Sequence, residues 1–140
     1  MSFERLLVAV DGSDASNHAL DAAVELARLA GGSIVALAVE GPLPAYAATV
    51  GEVEEVKREK DAFFSRLVED VEARGREAGV EIEVLVRPGH AAELITRVAK
   101  ETPVDLIVLG HRGHFLRDHL LGSTADRVAE HAECLVMIVR

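Results

Sequence analysis

Tryptophan is absent from the chain, tyrosine occurs once and phenylalanine four times, so aromatic residues make up only 4% of it. No core can be assembled around large rings. Valine, leucine, isoleucine and alanine must fill it, and the 49% hydrophobic content supplies enough of them. Cysteine also occurs once, at Cys134, which excludes an internal disulfide and fits a reducing cytoplasm. No apolar run approaches the ~18 residues of a membrane span. The segment from Met1 to Arg5 lacks the basic-then-apolar plan of a secretion signal. The expectation is a cytoplasmic protein with no membrane partner. Basic residues are outnumbered, 15 Lys and Arg against 24 Asp and Glu, for a net charge of −9. Phosphate contacts dominate affinity for nucleic acid, so nucleic acid is not expected as the main partner.

At 140 residues the chain is expected to form one domain, residues 1–140. A domain of that size buries roughly 68–70% of the surface its unfolded chain exposes, enough for a core without staples.

Short apolar runs alternate with helical patterns. Leu6–Val10 is a continuous apolar run that stops at Asp11-Gly12-Ser13, as a strand covered on both faces would. Ser13 or Asp14 can cap a following helix whose Leu20, Ala23, Val24 and Ala27 recur at helical spacing, and Gly31-Gly32 stops it. Ser33–Val39 is a second buried strand. Residues 41 to 51 hold Pro42, Pro44, Gly51 and the single tyrosine, Tyr46, a composition that predicts a mobile loop. A long helix is predicted from about Glu52 to Ala78, with Val56, Phe63, Phe64, Leu67, Val68 and Val71 inward and a densely charged, solvated outer face. Val80 to Val86 alternates with Glu81 and Glu83, which suits an edge strand. A helix bearing Leu94, Ile95, Val98 and Ala99 follows, then a strand over Val104–Leu109, a helix from about Ser123 to Ala132, and a last strand over Leu135–Val139.

Strands alternating with helices imply an α/β fold, a mostly parallel five-stranded sheet with helices on both faces. Right-handed crossovers leave few topologies, of which a doubly wound sheet in order 3-2-1-4-5 fits best. Ligands of such sheets bind beyond the carboxyl ends of the strands where the strand order reverses, here between strands one and four. Asp11-Gly12-Ser13, Val39-Glu40-Gly41 and Gly110-His111-Arg112-Gly113 would converge there. The last of these is also basic: His111, Arg112, His114, Arg117 and His119 stand against one acid, Asp118. Glycines at a strand's end let backbone N–H groups approach an anion, and Gly122-Ser123-Thr124 opens another helix whose first N–H donors are unpaired. A phosphate site is the reading these residues support. They match neither the Walker loop nor the dinucleotide fingerprint, because no Gly-Lys-Ser/Thr occurs and Gly12 stands alone after the first strand.

The whole pattern resembles the universal stress protein family. The resemblance runs through Leu7-Val8-Ala9-Val10-Asp11-Gly12-Ser13, Arg87-Pro88-Gly89-His90, Asp105-Leu106-Ile107-Val108-Leu109-Gly110, and the closing stretch from Ala132 to Arg140. ATP-binding members carry Gly-x2-Gly-x9-Gly-Ser/Thr. Here Gly110-x2-Gly113 is intact and Gly122-Ser123 is present, but only eight residues, His114 to Leu121, separate Gly113 from Gly122. His111 and Leu135 also depart from the family's usual small residue and proline. The resemblance implies an adenine nucleotide, ATP or AMP with Mg2+ possible, as ligand. It implies that Ala9 lines the adenine pocket, that Val39 meets the adenine edge through its backbone, and that Asp11 reaches the ribose or a phosphate-bound cation. Leu109 would pack beside the sugar, and Gly110 and Gly113 would present N–H groups to phosphate. Arg112 lies inside that loop. Ser123 and Thr124 would hold the distal phosphates, with Gly122 permitting the approach. Homodimerisation through Leu135–Val139 is implied as well.

Competing readings attach to the same residues. Asp11 can simply cap a turn. His111, His114 and His119 suggest a metal, but their spacing does not put them on one face. Cys134 reads as a buried inert thiol, and His18 as a surface residue. No nucleophile–base pair stands out, so no catalytic residue is assigned and binding is favoured over fast catalysis. Three functions remain open: a nucleotide-binding regulator acting in stress response as a dimer, a nucleotide-free dimer working through protein partners, and a slow ATP hydrolase.

Overall fold

A computed structural model describes residues 2–41, 47–111 and 123–140. Among these, strands β1 (Arg5–Ala9), β2 (Ser33–Glu40), β3 (Ile82–Pro88), β4 (Leu106–Gly110) and β5 (Leu135–Val139) alternate with helices α1 (Asp14–Ala30), α2 (Val50–Ala78), α3 (Ala91–Glu101) and α4 (Ser123–His131). The sheet runs β3-β2-β1-β4-β5 with every pairing parallel, the order expected from the sequence.

The continuous apolar strands are explained by two separate cores. Side chains alternate across a strand, so Leu6, Val8, Ile34, Ala36, Leu106 and Val108 point to the α1–α2 side and meet Ala19, Leu20, Ala23, Leu67 and Val71. Leu7, Val35, Leu37, Ile107 and Leu109 point the other way and meet Leu94, Ile95, Val98, Ala125 and Val128. The buried residues of both cores are aliphatic side chains and alanines, with Phe3 and Phe64 packed at the margin of the first. Alanine at positions 19, 23 and 27 lets α1 lie close to the sheet.

Several boundaries differ from expectation. The long helix begins at Val50, not Glu52, because Thr49 caps it: the Glu52 N–H donates to Thr49 Oγ1 at 3.1 Å, and Thr49 Oγ1 donates to Glu52 Oε1 at 3.0 Å. The expected loop over 41–51 therefore ends at Thr49, and its Pro42–Tyr46 stretch lies outside the described residues. β3 begins at Ile82, since the Val80 N–H is bonded to the Gly75 carbonyl and completes the end of α2 instead. β4 extends to Gly110, which pairs with Val139. On α2, Val56, Leu67 and Val71 are buried, but Phe63 is 45% exposed.

The anticipated edge character of β3 holds, as among the described residues only β2 pairs with it. His18 lies on the exposed side of α1. Cys134 is half-buried and not fully enclosed. Burial raises its thiol pKa, and the negative charge of Asp105 adds to the rise, against backbone hydrogen bonds that lower it. Asp105 itself belongs to the amino end of the sheet. Its Oδ2 accepts the Glu4 and Arg5 N–H groups at 2.9 and 3.0 Å, fixing the start of β1. Among the described residues, no helix is long and apolar enough to cross a membrane.

Candidate functional site

β1 leaves the sheet at Ala9, and the next residues fold into a compact turn. The Val10 N–H still bonds to the Leu37 carbonyl at 2.9 Å. Asp11 then turns the chain: its Oδ1 accepts the Ser13 N–H at 2.8 Å, a side-chain mimic of a backbone turn. Gly12 adopts φ +82°, a left-handed conformation that glycine reaches without steric cost. Ser13 caps α1, its Oγ accepting the Ser16 N–H at 3.1 Å. Buried Ser16 closes the ring, its Oγ accepting the Asp11 N–H at 3.2 Å and donating to the Ser13 carbonyl at 3.3 Å. The sequence foresaw the capping role of Ser13 but not the inward turn of Ser16. Ser13→Ala is expected to cost about 1 kcal/mol, as for a lost N-cap; an unchanged urea midpoint would contradict the role of this network.

β4 approaches the same end of the sheet on the other side of β1. The His111 N–H donates to the Val139 carbonyl at 2.7 Å, so alternation turns the N–H of Gly110 towards β1. Paired register between β1 and β4 runs from Leu6 and Leu106 to Val8 and Val108. A Cβ on Gly110 would lie 2.7 Å from both the carbonyl carbon and the oxygen of Ala15 and 3.0 Å from its Cβ. Gly110 is thus required by the close passage of α1, whatever else its backbone does. Among the described residues, His111 Nε2 is the buried side-chain atom without a hydrogen-bond partner.

Of the residues expected at the site, Ala9, Asp11, Val39, Leu109 and Gly110 lie at the carboxyl ends of β1, β2 and β4, so the strand ends do meet as the topology requires. Ala9 and Val39 are partly buried against the α3–α4 core, and Leu109 is 3% exposed within it. Leu109 is therefore chiefly a core side chain. Thr124 lies half-buried in the first turn of α4, which Ser123 begins. Arg112, Gly113 and Gly122 lie outside the described residues, as do the clustered histidines 114 and 119. Among the described residues, no group of three His, Cys, Asp or Glu side chains could hold a metal ion.

Residues of α2 also reach this end of the sheet, which the sequence reading missed. Lys60 Nζ donates to the Gly41 carbonyl at 2.7 Å just past β2, and a Cβ added at Gly12 would lie 3.7 Å from Phe63 Cζ, so the ring edge faces that glycine. Helical spacing had assigned Phe63 to the inner face, and nothing local in the sequence distinguishes it from its core neighbours.

The family model described as "Universal stress protein family" matches residues 2–140. Universal stress protein YxiE of Bacillus subtilis (strain 168) is 37% identical over 147 aligned residues, covering 99% of each chain. The solved structure of universal stress protein UspA from Lactobacillus plantarum superposes with a TM-score of 0.86 at 27% identity, covering 100% of this chain and 99% of that one. A universal stress protein in complex with cAMP shares the fold at TM-score 0.76 and 23% identity, covering 100% and 99%. So does an Arabidopsis thaliana universal stress protein family protein with AMP bound, at TM-score 0.73 and 22% identity, covering 97% and 90%. The order of the strands, the turn after β1 and the match over nearly every residue agree: this chain belongs to the universal stress protein family.

Proposed function

We propose that this protein binds an adenine nucleotide, AMP or ATP, in the crevice between the carboxyl ends of β1 and β4, and acts in stress response as a regulatory dimer. The observation that carries this reading is that the Asp11–Ser13 turn follows β1 and Gly110 ends the neighbouring β4, at the point where the strand order reverses, the position at which doubly wound sheets take ligands. His111 Nε2 adds support, because a buried polar atom without a partner costs free energy that a ligand or water can restore. The AMP and cAMP held by two proteins of the same fold point to the same ligand class.

On this reading Ala9 and Val39 flank the base, and Asp11 faces the ribose or cation. Gly110, Gly113, Ser123 and Thr124 supply phosphate donors, with Arg112 and Gly122 in the same loop. A magnesium ion held by phosphate oxygens needs only one or two protein carboxylates, and Asp11 stands where it could supply one. The ion's part would be to neutralise charge on the longer phosphate tail.

One specific observation favours the nucleotide-free alternative, a dimer that works through protein partners. The spacer from Gly113 to Gly122 is eight residues, one fewer than in the ATP-binding pattern. A shortened loop suits a shorter tail, so AMP is expected to bind at least as well as ATP. Calorimetric titration with AMP, ADP and ATP, with and without Mg2+, checks this. Saturable heats with AMP are the expected result; neither heat nor a thermal shift at millimolar nucleotide would leave the nucleotide-free reading standing.

A further inference from the structure

α1 and α2 cover the same face of the sheet, and two cavities of about 360 and 390 Å3 open between them. Leu20, Leu67 and Val71 line the first together with Asp70, and Val24 and Ala78 line the second together with Asp21 and Glu25. Arg74 and Glu77 line both, so the two are lobes of one groove. Arg74 crosses it from α2 to α1, where its guanidinium donates to the Asn17 carbonyl at 3.3 Å and pairs with Asp21. Glu25 is paired with Arg28. Asp70 and Glu77 enter no ion pair among the described residues, and all four acids are exposed. The groove therefore has an apolar floor, an acidic rim and one cation of its own, already seated on a carbonyl and a carboxylate.

That chemistry selects a partner. The rim repels phosphate-bearing ligands. A metal ion is not served, since among the described residues no three His, Cys, Asp or Glu side chains could hold one. The complement is a cation at the end of an apolar stem, which is the form of a lysine or arginine side chain. Leu20 and Val24, one in each lobe, are four residues apart on α1, a rise of about 6 Å. Side chains two residues apart on an extended chain point the same way about 7 Å apart. We propose that this groove docks an extended segment of a protein partner carrying two basic residues separated by one other, one side chain entering each lobe. A free linear polyamine lying in the groove would have to pass the Arg74 guanidinium, whereas side chains entering from above straddle it. None of these residues is assigned to nucleotide, so the proposal does not depend on the nucleotide reading.

The test titrates the full chain with the peptide acetyl-Ala-Arg-Ala-Arg-Ala-amide and follows the backbone amides by NMR. Saturable shifts at millimolar peptide are expected, centred on α1 between Asn17 and Glu25 and on α2 between Leu67 and Ala78. Asp70→Asn combined with Glu77→Gln is expected to weaken binding about fivefold, the effect of losing two exposed ion pairs. Glu55→Gln combined with Glu59→Gln removes the same charge from exposed positions of α2 outside the groove and is expected to leave affinity unchanged. The absence of a saturable shift, or shifts centred elsewhere, overturns the groove as a docking site. Equal losses in the two double variants overturn it as well, because net charge alone then attracts the peptide. Spermidine that binds as tightly as the peptide at the same amides overturns the choice of a protein segment.

Discussion

Gly110→Ala is expected to lower the melting temperature by roughly 10 °C, from a loss of about 2–3 kcal/mol through overpacking. The added Cβ would fall 2.7 Å from the carbonyl carbon and oxygen of Ala15. Both are backbone atoms of the first turn of α1, so no rotamer change can relieve the clash. Either α1 lifts from the sheet or the end of β4 moves. Lifting α1 loosens Ala19 and Ala23 from β1 and β4, and moving β4 strains its pairing with β5 at Val139. Differential scanning calorimetry of the two proteins measures the shift. A change under about 2 °C would mean that the helix yields freely. The same geometry affects how binding data are read. A Gly110 variant that loses nucleotide loses it through the fold as well as through a phosphate donor, so Ser123→Ala or Thr124→Ala is the better probe of the phosphates.

The fold was legible in the sequence because each strand is a short aliphatic run bounded by turn residues, and each intervening segment has helical spacing. Parallel order and crossover handedness then left few arrangements. Boundaries were less legible where a side chain decided them. Thr49 starts α2 earlier than composition suggests, by capping the Glu52 N–H across two intervening residues that do not announce a helix start. Gly110 read as a phosphate glycine alone, since its passage against Ala15 depends on where α1 crosses the sheet. Asp105 in the same motif read as part of the strand, although its carboxylate fastens the amino end of β1 across 101 residues of sequence. Phe63 fitted a helical stripe, and only the tertiary arrangement separates its half-exposed place facing Gly12 from the core contacts of Leu67 and Val71. In each case the missing information is a contact between segments distant in sequence, which local spacing does not encode.

Ile138→Pro is expected to convert the protein from dimer to monomer while leaving the sheet of each chain in place. β5 pairs with β4 on one side, and no other strand among the described residues pairs with its free edge. Leu135 and Met137 are 45% and 38% exposed on it, and the strand carries neither lysine nor proline to discourage pairing. A second copy running antiparallel about a two-fold axis would satisfy both edges and cover both apolar pairs at once. The direction of each N–H follows from one hydrogen bond. The Val139 carbonyl accepts from His111, so Val139, Met137 and Leu135 turn their backbone groups towards β4, and Ile138 and Val136 turn theirs outward. Proline at 138 therefore removes an edge donor but no bond of the β4 ladder, the one setting in which strands tolerate it. Met137→Lys attacks the same contact from the side chain, placing a charge where the two copies would bury an apolar pair. Light scattering at micromolar protein is expected to give twice the chain mass for wild type and the chain mass for both variants. The wild-type melting temperature should also rise with protein concentration, as it does when folding is coupled to association, and that dependence should vanish in Ile138→Pro. A wild-type monomer at micromolar concentration would remove the dimer from the proposed function and leave the β5 edge unexplained. A proline variant that stays dimeric would place the interface on another face of the molecule.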